Sequence, residues 1–280
     1  MPQPANDSRD VVSGDRPAGQ RRELRLLATA LVLSMSTWFS TAAVLSQLTT
    51  AWELGSTAKS WLIITLQIGF VVGAAGSSLT NLADRIPPRR LILIGATGAS
   101  LANGAIIPLD AYGPALAARF MTGVFLAAVY PPALKAMSSW YRAGRGYALG
   151  VMIGALTLGS ALPHLINGFG TLDWQIVIAA TSALTLVGGL IAERLGSDGP
   201  YATAAAPFDP AKLRSVIANR EFRLASLGYF GHMWELYAMW AWIAAFYGDV
   251  FIDQRSASIA AFGTIGIGAF GSVYVGSLSD

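Results

Sequence analysis

Eight apolar runs, most of them close to 20 residues long, follow one another through this chain, separated by short polar loops and one longer segment. A hydrocarbon layer ~30 Å thick takes about 20 residues of helix to cross. Inside lipid every backbone N–H and C=O needs a partner within the segment itself, so repeated apolar runs of this length dictate helices. The spans are expected at about 24–49, 60–82, 90–109, 113–137, 147–168, 173–193, 224–248 and 257–277. The expected fold class is therefore an all-α membrane protein. With 54% apolar and 12% charged residues and a mean hydropathy of +0.51, the chain has too little polar surface for a soluble globule. A cleaved leader does not explain the first run, which is too long and has too many spans behind it.

Charge sets the orientation. Of the 19 Lys and Arg residues, 16 lie near the amino terminus, in the Arg85/Arg89/Arg90 loop, around Lys135/Arg142/Arg145 and from Arg194 to Arg223. Only Lys59 and Arg255 fall in the opposite loops, and Arg119 lies inside a span. Basic residues collect on the cytoplasmic side of short loops, so the reading is an integral protein of a plasma or inner membrane with its amino terminus in the cytoplasm. The excess of +3 belongs to that topology signal, and no basic cluster carries the interleaved aromatics of a nucleic-acid surface. There are no cysteines and two histidines, which rules out disulfides and thiolate metal sites and leaves few ligands for any other metal. The sequence calls for no cofactor.

Residues 1–23 are expected to be a disordered tail, since they hold little that can be buried. A six-helix bundle then covers 24–193, a linker 194–223, and two further helices 224–280. Within the linker, Asp209-Pro210 reads as the N-cap and first position of a short helix through Arg220. Its Leu213, Val216 and Ile217 form one apolar stripe suited to the inner membrane surface.

The loop after the second span reads Leu82-Ala83-Asp84-Arg85-Ile86-Pro87-Pro88-Arg89-Arg90, and its front half recurs 196 positions later as Gly276-Ser277-Leu278-Ser279-Asp280. At the same offset Trp38 meets Trp234, and Lys59-Ser60 meets Arg255-Ser256. These anchors fall at equivalent places in two helix pairs, the pattern of an internal repeat. A carboxylate at a helix end can pair with a neighbouring arginine or with the N-terminus of another helix, so Asp84 and Asp280 read as latches that hold one conformer closed.

On these residues the chain resembles the major facilitator superfamily, whose loop between the second and third helices reads Gly-x-Leu-Ala-Asp-Arg-x-Gly-Arg-Arg. Leu82, Ala83, Asp84, Arg85, Arg89 and Arg90 match, while Thr80 and Pro87 stand where that pattern has glycine. Arg119-Phe120-Met121-Thr122-Gly123 is similar to the family's Arg-x-x-x-Gly helix motif, and Gly150, Gly154, Gly159 and Pro163 are similar to its Gly-rich fifth helix, without the Gly-Pro dipeptide of its antiporters. The resemblance implies a six-helix half plus the first two helices of a second half. It implies transport of a small solute by alternating access, with protons as a partner. Because such a transporter has about twelve spans, the chain reads as the front part of a longer one. Helix and loop spacing is similar to the branch containing nitrate/nitrite and cyanate porters, which implies a small organic or inorganic anion. The arginines that nitrate porters carry in the second and eighth spans are absent here.

Polar groups inside the spans are costly unless they face a wet cavity or a partner, which makes each a functional candidate. Counted at 1.5 Å per residue, Arg119, Gln67 and Trp38 share a level about 9–10 Å below the outer face. Arg119 could clamp a carboxylate-bearing solute with its planar fork, or be a packing arginine satisfied by helix carbonyls or Gln67. Glu235 sits near the midplane, where burial would raise its carboxyl pKa and suit proton coupling; His232, three residues earlier, could share the proton. His164 falls near the outer rim as an interfacial hydrogen-bonder, and Trp234, Tyr237, Trp240 and Trp242 are cavity-lining or packing aromatics. Gly69, Gly73, Gly123, Gly150, Gly154, Gly159 and Pro163 would serve close helix packing. Two other classes remain: a membrane-embedded sensor that binds without transporting, and an intramembrane metal enzyme using His232 and Glu235.

Overall fold

The computed structural model describes residues 17–170, 172–201, 215–251 and 253–280. Its elements are all helical among those residues. The first span is broken into α1 (Gln20–Ser34), a 3-10 turn Met35–Thr37, α2 (Ser40–Ala43) and α3 (Leu45–Trp52). The second is α4 (Ser56–Leu79), followed by one loop turn, α5 (Leu82–Arg85). The third is α6 (Pro88–Gly104), with Pro88 at its first position, where the missing N–H costs nothing. The fourth runs through α7 (Tyr112–Leu126) and α8 (Tyr130–Ser138), α8 restarting at a proline pair. The remaining spans are α9 (Arg145–Gly168), α10 (Trp174–Leu195), α11 (Arg220–Val250) and α12 (Gln254–Leu278).

Among the described residues five helical stretches are long and apolar enough to cross a membrane: Ser56–Leu79, Tyr112–Ser138 (α7 and α8 together), Arg145–Gly168, Trp174–Leu195 and Gln254–Leu278. The other three expected spans depart from a plain apolar rod. The first is interrupted, the third is a 17-residue helix, and α11 carries Glu221, Arg223, His232 and Glu235 along its first half. Asp253 caps α12: its carboxylate accepts from the backbone N–H and the hydroxyl of Ser256, which hold its pKa below the usual carboxylate range.

Helix starts earlier than the sequence suggested. Gln20–Glu23 belong to α1 rather than to a disordered tail, because each end of that turn has a partner across the bundle. Gln20 Nε2 donates to the Trp140 carbonyl at 2.7 Å, and the buried Glu23 carboxylate accepts from the Ser197 N–H at 3.0 Å and its hydroxyl at 2.8 Å. Residues 1–16 and the expected helix start at Asp209-Pro210 lie outside the described residues; Ser215–Ala218 are helical and exposed.

Several helix pairs have backbones in direct apposition, two of them through glycines on both sides. Between α4 and α7, a Cβ at Gly69 would lie 2.1 Å from the Phe120 carbonyl oxygen, and one at Gly123 2.0 Å from that of Leu66. Between α9 and α12, which make the most extensive contact in the chain, a Cβ at Gly150 would lie 2.4 Å from the Ser272 carbonyl, and one at Gly276 2.4 Å from that of Gly146. Gly73, Gly154 and Gly159 are similarly crowded by Val124, Ala269 and Val32, whereas Pro163 sits inside α9 with its side chain buried. Small residues at such seams let helices approach to backbone distance, which in lipid replaces the hydrophobic drive for association.

The helices alternate direction, and contacts fix which loops share an end. Asp84 pairs with Lys135, Gln20 with Trp140, Glu23 with Ser197, and Asp280 with Gly146. All eight residues therefore lie at one end of the bundle, called the gate end below.

Candidate functional site

Two places in the bundle gather polar groups from distant parts of the sequence. At the gate end, the Asp280 carboxylate accepts from the Gly146 N–H at 2.7 Å and the Tyr147 N–H at 2.8 Å. Those amides open α9, preceded by Gly144 at φ 69°, and have no partner within their own helix. Amides left free at a helix start and the positive end of the helix dipole make this a natural seat for a carboxylate. The eighth span is thereby tied to the fifth across 134 residues.

The sibling loop is held differently. Asp84 bonds to the Lys135 ammonium, which also donates to the Ala83 carbonyl at 2.7 Å. The sequence suggested an arginine or a helix N-terminus as partner; a lysine from the fourth span takes that place, because α8 runs back to the gate end directly beside α5. Arg89 donates to the Gly196 carbonyl at 3.4 Å, and Arg90 lies 3.8 Å from Glu193. Arg85 points to solvent without a partner.

The second place is the break in the first span. No proline or glycine causes it. Ser36 Oγ bonds back to the Leu33 carbonyl at 2.7 Å and Ser40 Oγ to that of Thr37 at 3.0 Å, side-chain bonds that compete with the helix ladder. The Thr37 and Trp38 carbonyls receive no backbone amide among the described residues. Arg119 fills them: Nη1 donates to the Thr37 carbonyl at 3.1 Å and to Asn103 Oδ1 at 3.2 Å, and Nη2 to the Trp38 carbonyl at 2.7 Å. The guanidinium is 1% exposed, and only its Nε lacks a partner. Asn103 in turn joins Ser40 and Ser182, binding the third and sixth spans to the same break.

Arg119 and Trp38 thus meet at one level, through the Trp38 backbone. Gln67 makes no hydrogen bond to Arg119; the alternative of a packing arginine held by helix carbonyls is the geometry found. The Trp38 ring faces elsewhere. It stacks on Tyr237 at 5.8 Å and lies 4.8 Å from Phe70, and Phe39, Tyr237 and Trp240 complete an aromatic cluster joining the first, second and seventh spans. Trp38 Nε1 is buried in it without a hydrogen-bond partner. Gln67 is one turn from Phe70 on α4 and half-buried.

Two expectations are corrected. Glu235 and His232 are exposed on α11 and make no side-chain hydrogen bond; the face of α11 that packs on the bundle carries Trp240, Ala241 and Ala244 instead. His164 is not at an interface: it is fully buried with neither ring nitrogen paired. Counting residues along an assumed straight span placed it near the rim, but α9 packs against α1, α12 and α2 along its length. Sequence reasoning named a helix N-terminus as a kind of partner but not which helix; Lys135 and the choice of α9 are what it missed, and the only signal for them was their position at loops of the same predicted end.

The family model of the Major Facilitator Superfamily matches residues 26–280. No curated protein matches the sequence.

Proposed function

Since the chain belongs to the Major Facilitator Superfamily, an integral membrane family that moves small solutes across membranes, we propose that it works by alternating access, with the Asp280–α9 contact as a latch. The observation that carries this reading is the pair of bonds from Gly146 and Tyr147 to Asp280, because they close the gate end of the α9–α12 seam with a charged group that water can replace. A latch of this kind stabilises one conformer and is released when the ends separate. The gate end is the cytoplasmic one in this proposal, on the strength of its basic residues.

The solute is proposed to bind at the aromatic cluster. Trp38 Nε1 is a buried donor without a partner among the described residues, the Tyr237 ring stacks on the indole, and Gln67, one turn from Phe70 on α4, is proposed to reach it. A small organic anion, or a neutral solute with an acceptor group, would satisfy that indole. Arg119 then acts at one remove, fixing the backbone from which Trp38 projects. Glu235 is proposed as the proton carrier, with His232 one turn away as its exchange partner, because both are exposed on α11 and neither makes a side-chain hydrogen bond among the described residues, which leaves them open to protonation.

The test is uptake into vesicles reconstituted with the full chain and offered a defined mixture of small organic acids and amides, read by mass spectrometry. At least one solute should accumulate when the lumen is made alkaline. Trp38→Phe should lower that uptake about tenfold, and Glu235→Gln should leave downhill flux while removing accumulation. Binding without flux would favour the sensor, and accumulation by the Glu235→Gln protein would reject the proton role.

A further inference from the structure

A cavity of about 1000 Å³ opens at the gate end between the start of α1, the loop leading into α9, Tyr201 and Asp280. Its lining brings together Arg21, Arg25 and Arg142. Arg21 and Arg25 are one turn apart on α1 and so share a face. Four other arginines at this end are engaged: Arg22 with Glu23, Arg89 with the Gly196 carbonyl, Arg90 with Glu193 and Arg145 with the Tyr141 carbonyl, whereas Arg85, Arg194, Arg220 and Arg223 are exposed outside the cavity. Arg21 and Arg25 make no hydrogen bond or ion pair among the described residues, and Arg142 is held only by stacking over the Tyr201 ring, 4.3 Å from its centroid. The single carboxylate in the lining is Asp280, whose two oxygens are occupied by the amides of α9.

Three guanidinium groups around a cavity whose one acid already accepts from two amides leave positive charge without a bonded counter-ion among the described residues. Guanidinium forks match the oxygens of a tetrahedral phosphate, each offering two parallel N–H donors. The volume exceeds what a bare phosphate fills, and Tyr147 and Tyr201 add aromatic wall for an attached organic group. We propose that this cavity is a binding site for a phosphate ester, either the headgroup of an anionic lipid or a soluble phosphorylated compound. The site is separate from the aromatic cluster proposed for the transported solute, and the inference stands whether or not Asp280 acts as a latch.

The experiment is calorimetric titration of the full chain, purified in an uncharged detergent, with glycerol phosphate, dioctanoyl phosphatidic acid and dioctanoylglycerol. Saturable binding of a phosphate-bearing probe is expected, with dioctanoylglycerol inert. Binding of glycerol phosphate as tightly as the lipid identifies a soluble ligand, and binding of phosphatidic acid alone identifies a headgroup. Arg25→Gln should weaken binding about fivefold and the Arg21→Gln/Arg25→Gln/Arg142→Gln protein at least about thirtyfold. Among the described residues Arg21 and Arg25 have no hydrogen bonds to lose and Arg142 only its exposed stack on Tyr201, so the variants should fold. The same charge change at Arg194, Arg220 and Arg223, exposed at the same end but outside the cavity, should alter affinity less than about threefold. Equal weakening by both triple variants, equal binding of dioctanoylglycerol, or no saturable binding of either phosphate probe overturns the proposal.

Discussion

Arg119→Leu is expected to abolish recovery of folded protein, not merely its transport. The side chain removed is 1% exposed and supplies the only partner of the Trp38 carbonyl, besides bonds to the Thr37 carbonyl and Asn103. The Trp38 carbonyl is left unpaired at a cost of about 1–3 kcal/mol, and the Thr37 carbonyl and Asn103, which keep Ser40 Oγ, each lose one charge-assisted bond, so a total of about 3–5 kcal/mol is expected. Arg119→Lys keeps the charge and reaches one carbonyl at a time, so it should fall between. The measurement is thermal stability of detergent-solubilised protein, followed by size-exclusion profile after heating. A stable Arg119→Leu protein that has lost only uptake would return Arg119 to the role of solute clamp.

The second large effect is expected at the helix seams. Gly123→Val puts a branched side chain where a single Cβ already lies 2.0 Å from the Leu66 carbonyl oxygen, and Gly150→Val does the same at 2.4 Å from that of Ser272. Neither obstacle is a flexible side chain, so the paired helices must move apart by about 1 Å or more, and overpacking of this kind costs about 1–3 kcal/mol or more. Both proteins should lose most of their folded yield, while Gly113→Ala and Gly228→Ala, where nothing lies within 4 Å, should be unaffected. Normal stability of Gly123→Val would mean that α4 and α7 do not meet as described.

The helical class and the family were legible from periodicity, run length and a single loop, because lipid leaves the backbone so few options. Asp84 and Asp280 were also legible as a recurring pair. Their partners were not: Lys135 and the amides of Gly146 and Tyr147 are brought to them by helix packing, which no local pattern encodes. The break in the first span escaped for a related reason. Met35–Val44 contains neither Pro nor Gly, and its interruption depends on serine side chains bonding to their own backbone and on an arginine from another span completing it. Depth counting placed Arg119 and Trp38 at one level, and they meet there. It misjudged His164, because burial within a bundle depends on which neighbours a helix face meets and not on its distance from the rim.

The claim that most needs testing is that the Asp280–α9 contact is a latch whose opening moves α12 away from α9. The chain has no cysteine, so Leu149→Cys and Tyr274→Cys, both exposed, can be introduced and spin-labelled without altering any other residue. Two charge-assisted bonds at an exposed helix end are worth about 1–2 kcal/mol, or about 5–30-fold in a conformational ratio. Pulsed electron paramagnetic resonance on the reconstituted protein should therefore give a short and a long distance population, with Asp280→Asn enriching the long one about fivefold or more. Identical distributions with Asp280 and with asparagine in its place would contradict the account.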